Sequence, residues 1–192
     1  MGIAKDLFFS QQIVETLFSA TNKLQMHGDK YLQNLTFRQM LAASAIAESP
    51  DRKASINYVA HQLGTSKQNA KQLICAMEKK GYLSITQNKH DQRAVSVMIT
   101  QHGRQAYKKS SLLADEFLAD IFCNFSPEEI ETLCTLLQKL YCFDGQEQNR
   151  LDVNANYKSS EAVDILRNHQ NFVKRRAITG TKKSVNEQLP KW

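Results

Sequence analysis

The stretch from residue 56 to residue 100 constrains the fold more than any other, because two helical patterns and a hairpin pattern follow one another with very few connecting residues. In its central helical pattern, apolar side chains recur at the i, i+3, i+4, i+7 spacing of a single helix face. Side chains that carry positive charge or donate hydrogen bonds occupy the other face. We therefore expect a helix with one buried face and one face available to a partner. The apolar positions are Ala70, Leu73, Ile74 and Met77.

Capping residues define the ends of the two helices. Ser55 is placed to cap a first short helix that Gly64 ends, and Ser66 is placed to cap the next one. Gly81 can end this second helix in the left-handed conformation. A short, glycine-containing connection between two helices is typical of a helix-turn-helix.

A hairpin pattern follows the second helix. Residues 82–85 and 94–100 flank the polar tip QNKHDQR, and Val95, Val97 and Ile99 alternate with Ser96 and Met98, as expected of a strand with one packed face. The order helix, helix, hairpin predicts a winged helix-turn-helix, a mainly α fold with a small β-hairpin wing.

Further helical patterns precede this unit. Residues 4–25 carry a wide apolar stripe, which suits either a helix or subunit contact or an ordinary core within the same chain, and His27 and Gly28 interrupt the pattern. Thr36 can cap another helix that ends before Pro50. The residues expected to face inward there are Leu35, Met40, Leu41, Ala45 and Ile46.

Two more helices are predicted after the hairpin. One runs from Gln101 to Phe125, and the next has Ser126 as its cap and Pro127 at its first position. The expected inward side of this last helix consists of Ile130, Leu133, Leu137, Leu140 and Tyr141. Residues 144–158 have the composition of a linker, and residues 160–176 could form one more helix before a basic tail.

Composition favours an anionic partner and a cytoplasmic location. The 192-residue chain has a formal net charge of +6 and a sequence pI near 9.1, which suits nucleic acid. The N-terminal sequence lacks a signal-peptide pattern, and no apolar run is long enough to span a bilayer. Four cysteines lack the paired spacing of a zinc site or a disulfide frame, so reduced and mostly buried thiols are expected. They are Cys75, Cys123, Cys134 and Cys142.

No pattern in the sequence indicates catalysis. A Ser-His-Asp ordering, a glycine-rich phosphate loop and a metal-spaced set of His and Cys are all missing, so no enzyme activity, cofactor or metal is expected. Two other functions stay open. One is a winged helix used only for protein contacts, because a fold does not determine a function. The other is a thiol-responsive regulator, with Cys75 near Lys71 and Lys79 as its candidate thiol.

The second helix of the pair carries side chains suited to the major groove of DNA. Lysine reaches guanine acceptors or phosphates, and glutamine or asparagine can contact adenine in two places. The alternative is an ordinary solvated face. Basic residues on the hairpin tip would lie along the backbone or in the adjacent minor groove. The predicted DNA-binding residues are Ser66, Lys67, Gln68, Asn69, Lys71 and Gln72 on the helix, and Lys89, His90 and Arg93 on the tip.

The run from Leu35 to Phe143 resembles the MarR family of bacterial winged-helix transcription regulators. The resemblance is carried by LTFRQ at 35–39, LICAMEKKGYL at 73–83, DQR at 91–93, ITQHG at 99–103 and the helix opened by SPEE. It implies a homodimer clamped by N- and C-terminal helices, with a recognition helix of each subunit in successive major grooves of a near-palindromic operator. It also assigns Arg93 to the minor groove and Asp91 to holding the wing and that arginine in place.

The resemblance further implies a ligand-responsive repressor that binds a small aromatic ligand between its dimerising helices and the winged helix. His27, Tyr31 and Arg38 lie near where such a pocket would form, although a packed tyrosine and a surface arginine are the ordinary alternatives, and no ligand-binding residue is assigned. The chain would then divide into an N-terminal dimerisation helix (1–34), a winged helix-turn-helix DNA-binding domain (35–100), C-terminal dimerisation helices (101–143) and a linker with a basic extension (144–192).

Two features depart from the family pattern. The wing begins with Ser84-Ile85-Thr86 where many relatives place an arginine, and the chain continues for about fifty residues beyond the usual last helix. The basic residues of this extension suggest that it adds phosphate contacts, and a solvated tail is the alternative.

Overall fold

The computed structural model describes residues 2–87, 95–145 and 172–177. These described residues are mainly helical and include an antiparallel hairpin, as predicted. Residues 172–177 form a further helical segment. The elements are α1 (Gly2–Tyr31), α2 (Phe37–Ala47), α3 (Ile56–Gln62), α4 (Lys67–Lys79), β1 (Leu83–Gln87), β2 (Val95–Ile99), α5 (Gln101–Ile121) and α6 (Pro127–Tyr141), with short 3-10 turns at Pro50–Arg52 and Cys142–Asp144.

The helix-turn-helix consists of α3 and α4, and its predicted caps are confirmed. The hydroxyls of Ser55 and Ser66 each accept a hydrogen bond from the backbone N–H three residues later, at 3.0 and 3.2 Å. Gly64 and Gly81 both adopt positive φ, at +57° and +71°. These left-handed residues stop each helix and turn the chain, which places α4 directly after α3.

The start of α2 is fixed by a capping box. Thr36 accepts a hydrogen bond from the N–H of Gln39, and the side chain of Gln39 accepts one from the N–H of Thr36, both at 3.2 Å. Leu35, Ala45 and Ile46 are buried as expected, whereas Met40 and Leu41 are half-buried.

The core lies inside the winged-helix unit, residues 35–100. It joins side chains from α2, α3, α4 and the hairpin, and each large apolar side chain buried there contributes about 1.5 to 3 kcal/mol. The fully or almost fully buried members are Ala42, Ala43, Ile46, Ala54, Val59, Ile74, Met77, Leu83 and Val97.

The hairpin is tied to the helices through its second strand. In the register of the pair, Leu83 lies opposite Ile99, and Ile85 lies opposite Val97. On its other edge, Val97 exchanges two backbone hydrogen bonds with Ala54, at 2.8 and 3.0 Å. Because β2 is held on both sides and Val97 is fully buried, the base of the wing is part of the core.

Helix α5 is anchored to the end of the hairpin. The hydroxyl of Thr100 donates to the carbonyl of Gly81 at 2.7 Å and accepts from the N–H of Gly103 at 3.0 Å. An added Cβ at Gly103 would lie 2.9 Å from the carbonyl carbon of Tyr82 and closer still to its oxygen. Glycine is therefore required where α5 meets the winged-helix unit.

Helices α1 and α5 end at residues that the sequence patterns did not indicate. Helix α1 continues through Gly28, which interrupts its apolar pattern, to Tyr31, and a Cβ at Gly28 would lie 2.8 Å from Cδ2 of Phe37. Helix α5 ends at Ile121 instead of Phe125, and residues 122–125 turn the chain toward α6. Of the further helix suggested at 160–176, only residues 172–176 lie within the described part of the chain, and they are helical.

The described residues leave much of the apolar stripe of α1 and of the apolar side of α6 exposed. Helix α6, which is described in full, begins at the predicted cap Ser126 but contains no buried residue. Leu137 and Leu140, expected to face inward, are each 40% exposed. Most of the apolar stripe of α1 is also exposed, so the described residues do not form a core with it.

The expectation of mostly buried cysteines is wrong as well. All four cysteines lie in the described ranges and none is in a disulfide, but Cys75 and Cys123 are half-buried, and Cys134 and Cys142 are exposed. Cys134 lies on α6 and Cys142 directly follows it, and no residue of α6 is buried.

Candidate nucleic-acid interface

The polar face predicted for the second helix of the pair is exposed on α4. Its opposite face is anchored in the core by Ala70, Ile74 and Met77, which are 0 to 1% exposed. Because this buried face fixes the rotation of the helix, the polar face must point outward. The exposed residues are Ser66, Lys67, Gln68, Asn69, Lys71 and Gln72.

An arginine from another helix joins this face. The guanidinium of Arg38, on the first turn of α2, lies 3.5 Å from the hydroxyl of Thr65, at the turn between α3 and α4. The amide nitrogen of Asn69 lies 3.4 Å from the same hydroxyl. Thr65 therefore brings an exposed arginine beside the positive N-terminal end of α4, where an anion would be favoured.

The sequence patterns did not place Arg38 on this surface. They indicated only a residue near a possible ligand pocket or an ordinary surface arginine. Arg38 and Thr65 are 27 residues apart, and the packing of α2 on the helix-turn-helix brings them together. The LTFRQ run gave one usable signal, since the Thr36–Gln39 capping box sets the direction of the first turn of α2.

The predicted tip residues Lys89, His90, Asp91 and Arg93 lie outside the described residues. The strands that lead to the tip are described, and their register fixes where the hairpin leaves the core. At the start of the wing, where many relatives have an arginine, this chain has residues that pack or bond within the fold. Ile85 packs against the core, and the Thr86 hydroxyl donates to the carbonyl of Ser96 at 3.4 Å.

Comparison with known proteins identifies this arrangement. Residues 33–94 match the model of the MarR family, and they span α2, α3, α4, β1 and the hairpin tip. This segment of the chain is similar to the MarR family. A search of curated proteins found no match to the chain.

Solved structures share the MarR fold over most of the chain. A structure on the regulation of DNA binding of Bordetella bronchiseptica BpsR by 6-hydroxynicotinic acid has 19% identity and a TM-score of 0.62, covering 68% of this chain and 98% of that one. A MarR family transcriptional regulator from Streptomyces coelicolor, in complex with DNA, has 17% identity and a TM-score of 0.62, covering 72% and 89%. A mutant MarR from Escherichia coli with operator DNA has 17% identity and a TM-score of 0.60, covering 73% and 99%.

Next to this winged helix, the residues considered for a ligand pocket have separate environments. The ring centroid of Tyr31 lies 5.1 Å from that of Phe117, and its hydroxyl donates to a carboxylate oxygen of Asp120. Burial, together with the hydrogen bond to Asp120, raises the pKa of Tyr31. His27 is half-buried and Arg38 is exposed. The contacts of Tyr31 are those of a packed tyrosine.

The thiol candidate Cys75 lies on α4 between its buried and exposed faces and is half-buried. Within the described ranges, no group of three or more His, Cys, Asp or Glu residues is arranged to hold a metal ion. In that same part of the chain, no helix combines the length and apolar character needed to cross a membrane.

Proposed function

We propose that this protein is a sequence-specific double-stranded DNA-binding transcriptional regulator that acts as a homodimer. The recognition helix α4 of each subunit would enter successive major grooves of a near-palindromic operator, and the wing would reach the minor groove. One observation carries this proposal: α4 presents an exposed row of lysine and amide side chains while its other face is locked in the core.

The chemistry of that row supports base readout. Gln68 and Gln72 offer amide groups that can pair with adenine, and Lys67 and Lys71 offer charge for guanine acceptors or phosphates. Each good base contact discriminates by about 1 to 3 kcal/mol, so two or three contacts per subunit are enough for a specific site.

The exposed apolar stripe of α1 supports the homodimer. A row of large apolar side chains in water is unfavourable unless a partner covers it, and a second copy of this chain carries an identical stripe. Helix α6 adds a second exposed apolar row. The most exposed members are Ile3, Leu7, Phe8, Phe9, Ile13, Val14 and Phe18 on α1, and Leu136, Leu137, Leu140 and the following Phe143 near α6.

We further propose a role for each segment of the chain. Residues 1–34 and 101–143 would dimerise, residues 35–100 would bind DNA, Arg93 would enter the minor groove and Asp91 would hold it. A repressor controlled by a small aromatic ligand is the mode of action we propose, in line with the regulation of BpsR by 6-hydroxynicotinic acid.

A footprint on the region upstream of the protein's own gene tests the proposal, with purified protein and candidate ligands present or absent. We expect two protected half-sites about one helical turn apart. The variant Gln68→Ala should lose affinity for the operator and keep its affinity for random DNA. Gln33→Ala, which removes an exposed glutamine between α1 and α2, is the matched control. Equal affinity of the unmodified protein for operator and random DNA would instead indicate a winged helix without specific readout.

A further inference from the structure

The helical segment 172–177 is bound to α5 through Arg175. The Nε and Nη2 atoms of Arg175 donate to the two carboxylate oxygens of Asp120, at 2.9 and 3.0 Å. Its Nη1 atom donates to Glu116 at 2.8 Å. A guanidinium group thus engages two carboxylates at once through three nitrogens, which is a geometry that a lysine ammonium cannot reproduce.

The acidic pair on α5 is well suited to a cation. Glu116 and Asp120 are four residues apart on one helix, so they lie on the same face, where two negative charges repel each other. A cation between them removes that repulsion. The side chains of Arg175, Glu116 and Asp120 are 38%, 46% and 27% exposed, so water screens this cluster only in part.

Tyr31 completes the site from a second helix. Its hydroxyl donates to Asp120, and its ring packs against Phe117 on the same side of α5. Asp120 therefore accepts hydrogen bonds from both Tyr31 and Arg175, which fixes the orientation of its carboxylate. The site is built where the end of α1 meets α5.

The neighbouring arginine holds the same segment in place. A guanidinium nitrogen of Arg176 donates to the backbone carbonyl of Phe125, beyond the end of α5. The guanidinium carbon of Arg176 lies 5.6 Å from the centroid of the Phe172 ring, within the range of a cation–π contact. Two successive arginines thus attach residues 172–177 to one region of the protein.

We propose that Tyr31, Glu116 and Asp120 form an arginine-binding site whose occupant is Arg175 of the same chain. Residues 172–177 of the C-terminal extension are thereby tied to the junction of α1 and α5. This junction adjoins the winged-helix unit, because Asp29, two residues before Tyr31, accepts a hydrogen bond from the N–H of Phe37 at the start of α2 at 2.6 Å. Arg175 is accordingly used inside the protein and does not contribute a phosphate contact.

Arginine-selective labelling of the full-length protein tests the site. Phenylglyoxal modifies accessible guanidinium groups, and mass spectrometry measures the rate at each arginine. We expect Arg175 to be modified roughly tenfold more slowly than Arg104, which is exposed on the same helix that carries the acids, because charge-assisted hydrogen bonds must open first. The variant Asp120→Asn should raise the rate at Arg175 by roughly tenfold.

Glu131→Gln, which removes one exposed carboxylate from α6, is the matched control and should leave the rate at Arg175 unchanged. Glu116→Gln gives a second, milder test if Asp120→Asn impairs folding. Equal labelling of Arg175 and Arg104 in the unmodified protein would overturn the proposal. Loss of protection on dilution would also overturn it, because a second copy would then supply the arginine.

A DNA-binding experiment tests the consequence for the extension and rests on the proposed function. We expect Arg175→Gln to leave the slope of log affinity against log salt unchanged, whereas a lost phosphate contact would lower its magnitude by about 0.9. A lower slope would contradict the internal role of Arg175. A protein that binds no DNA would refute the proposed function alone, since the labelling result does not depend on DNA.

Discussion

Replacing Gly103 with alanine tests how α5 is joined to the winged-helix unit. The new Cβ would lie 2.9 Å from the carbonyl carbon of Tyr82, where ordinary contact begins at 3.4 Å. The first turn of α5 must therefore move by at least about half an ångström. That movement strains the hydrogen bond from the N–H of Thr100 to the carbonyl of Tyr82, which is 3.0 Å long. At about 3.5 Å it would no longer be a good hydrogen bond.

The cost of this change follows from three contributions. Overpacking against a rigid backbone costs about 1 to 3 kcal/mol, and the weakened hydrogen bond costs about 1 kcal/mol. Alanine favours a helix over glycine by up to about 1 kcal/mol, which offsets part of the loss. We expect the free energy of unfolding to fall by about 1 to 3 kcal/mol.

Urea denaturation at one fixed protein concentration measures this change, because the apparent stability of the proposed dimer would depend on concentration. Gln105→Ala, an exposed change on the same helix, should stay within about 0.5 kcal/mol of the unmodified protein. Gly28→Ala meets a side chain, the ring of Phe37, which can give way more easily than backbone, so its cost should be smaller. An unchanged or higher unfolding free energy for Gly103→Ala would refute the steric reasoning.

Three further predictions concern dimerisation, DNA binding and the thiol. Phe18→Asp, at a side chain that is 72% exposed, should shift the protein toward monomer in sedimentation velocity. Ser19→Asp, on the neighbouring face of α1, should not. Equal sedimentation of the two variants would argue against the α1 stripe as an interface. Arg38→Ala should weaken binding to operator and random DNA alike and lower the magnitude of the slope of log affinity against log salt by about 0.9. Arg93→Ala should have the same effect because it removes a minor-groove contact. An unchanged slope for Arg38→Ala would show that Arg38 does not contact DNA. If Cys75 only fills space, a thiol oxidant should leave operator affinity unchanged. A loss of affinity on oxidation that does not occur in Cys75→Ser would establish Cys75 as a thiol sensor.

Local signals predicted the winged-helix unit well. Ser55, Ser66, Thr36 and Ser126 cap the predicted helices, because a hydroxyl that bonds to an N–H three residues later needs nothing but its own chain segment. The same holds for the apolar face of α4, whose spacing alone decides which side chains can be buried together.

The errors arose where another element determined the outcome. Gly28 interrupts the apolar pattern of α1, but the helix continues through it. The ring of Phe37 of α2 fills the space beside this glycine. The apolar patterns of α1 and α6 indicated which side chains share a helix face. They could not show that the described residues leave much of that face exposed, because periodicity does not report what covers a face.

The sequence by itself determined the order of elements, the helix caps and the polar face of α4, because these depend on interactions within a few residues. The tertiary structure decided where Arg38 and Arg175 lie. Arg38 reaches a hydroxyl 27 residues away, and Arg175 binds a carboxylate 55 residues away. Both contacts depend on how helices pack, and packing brings together residues whose spacing in the chain carries no signal.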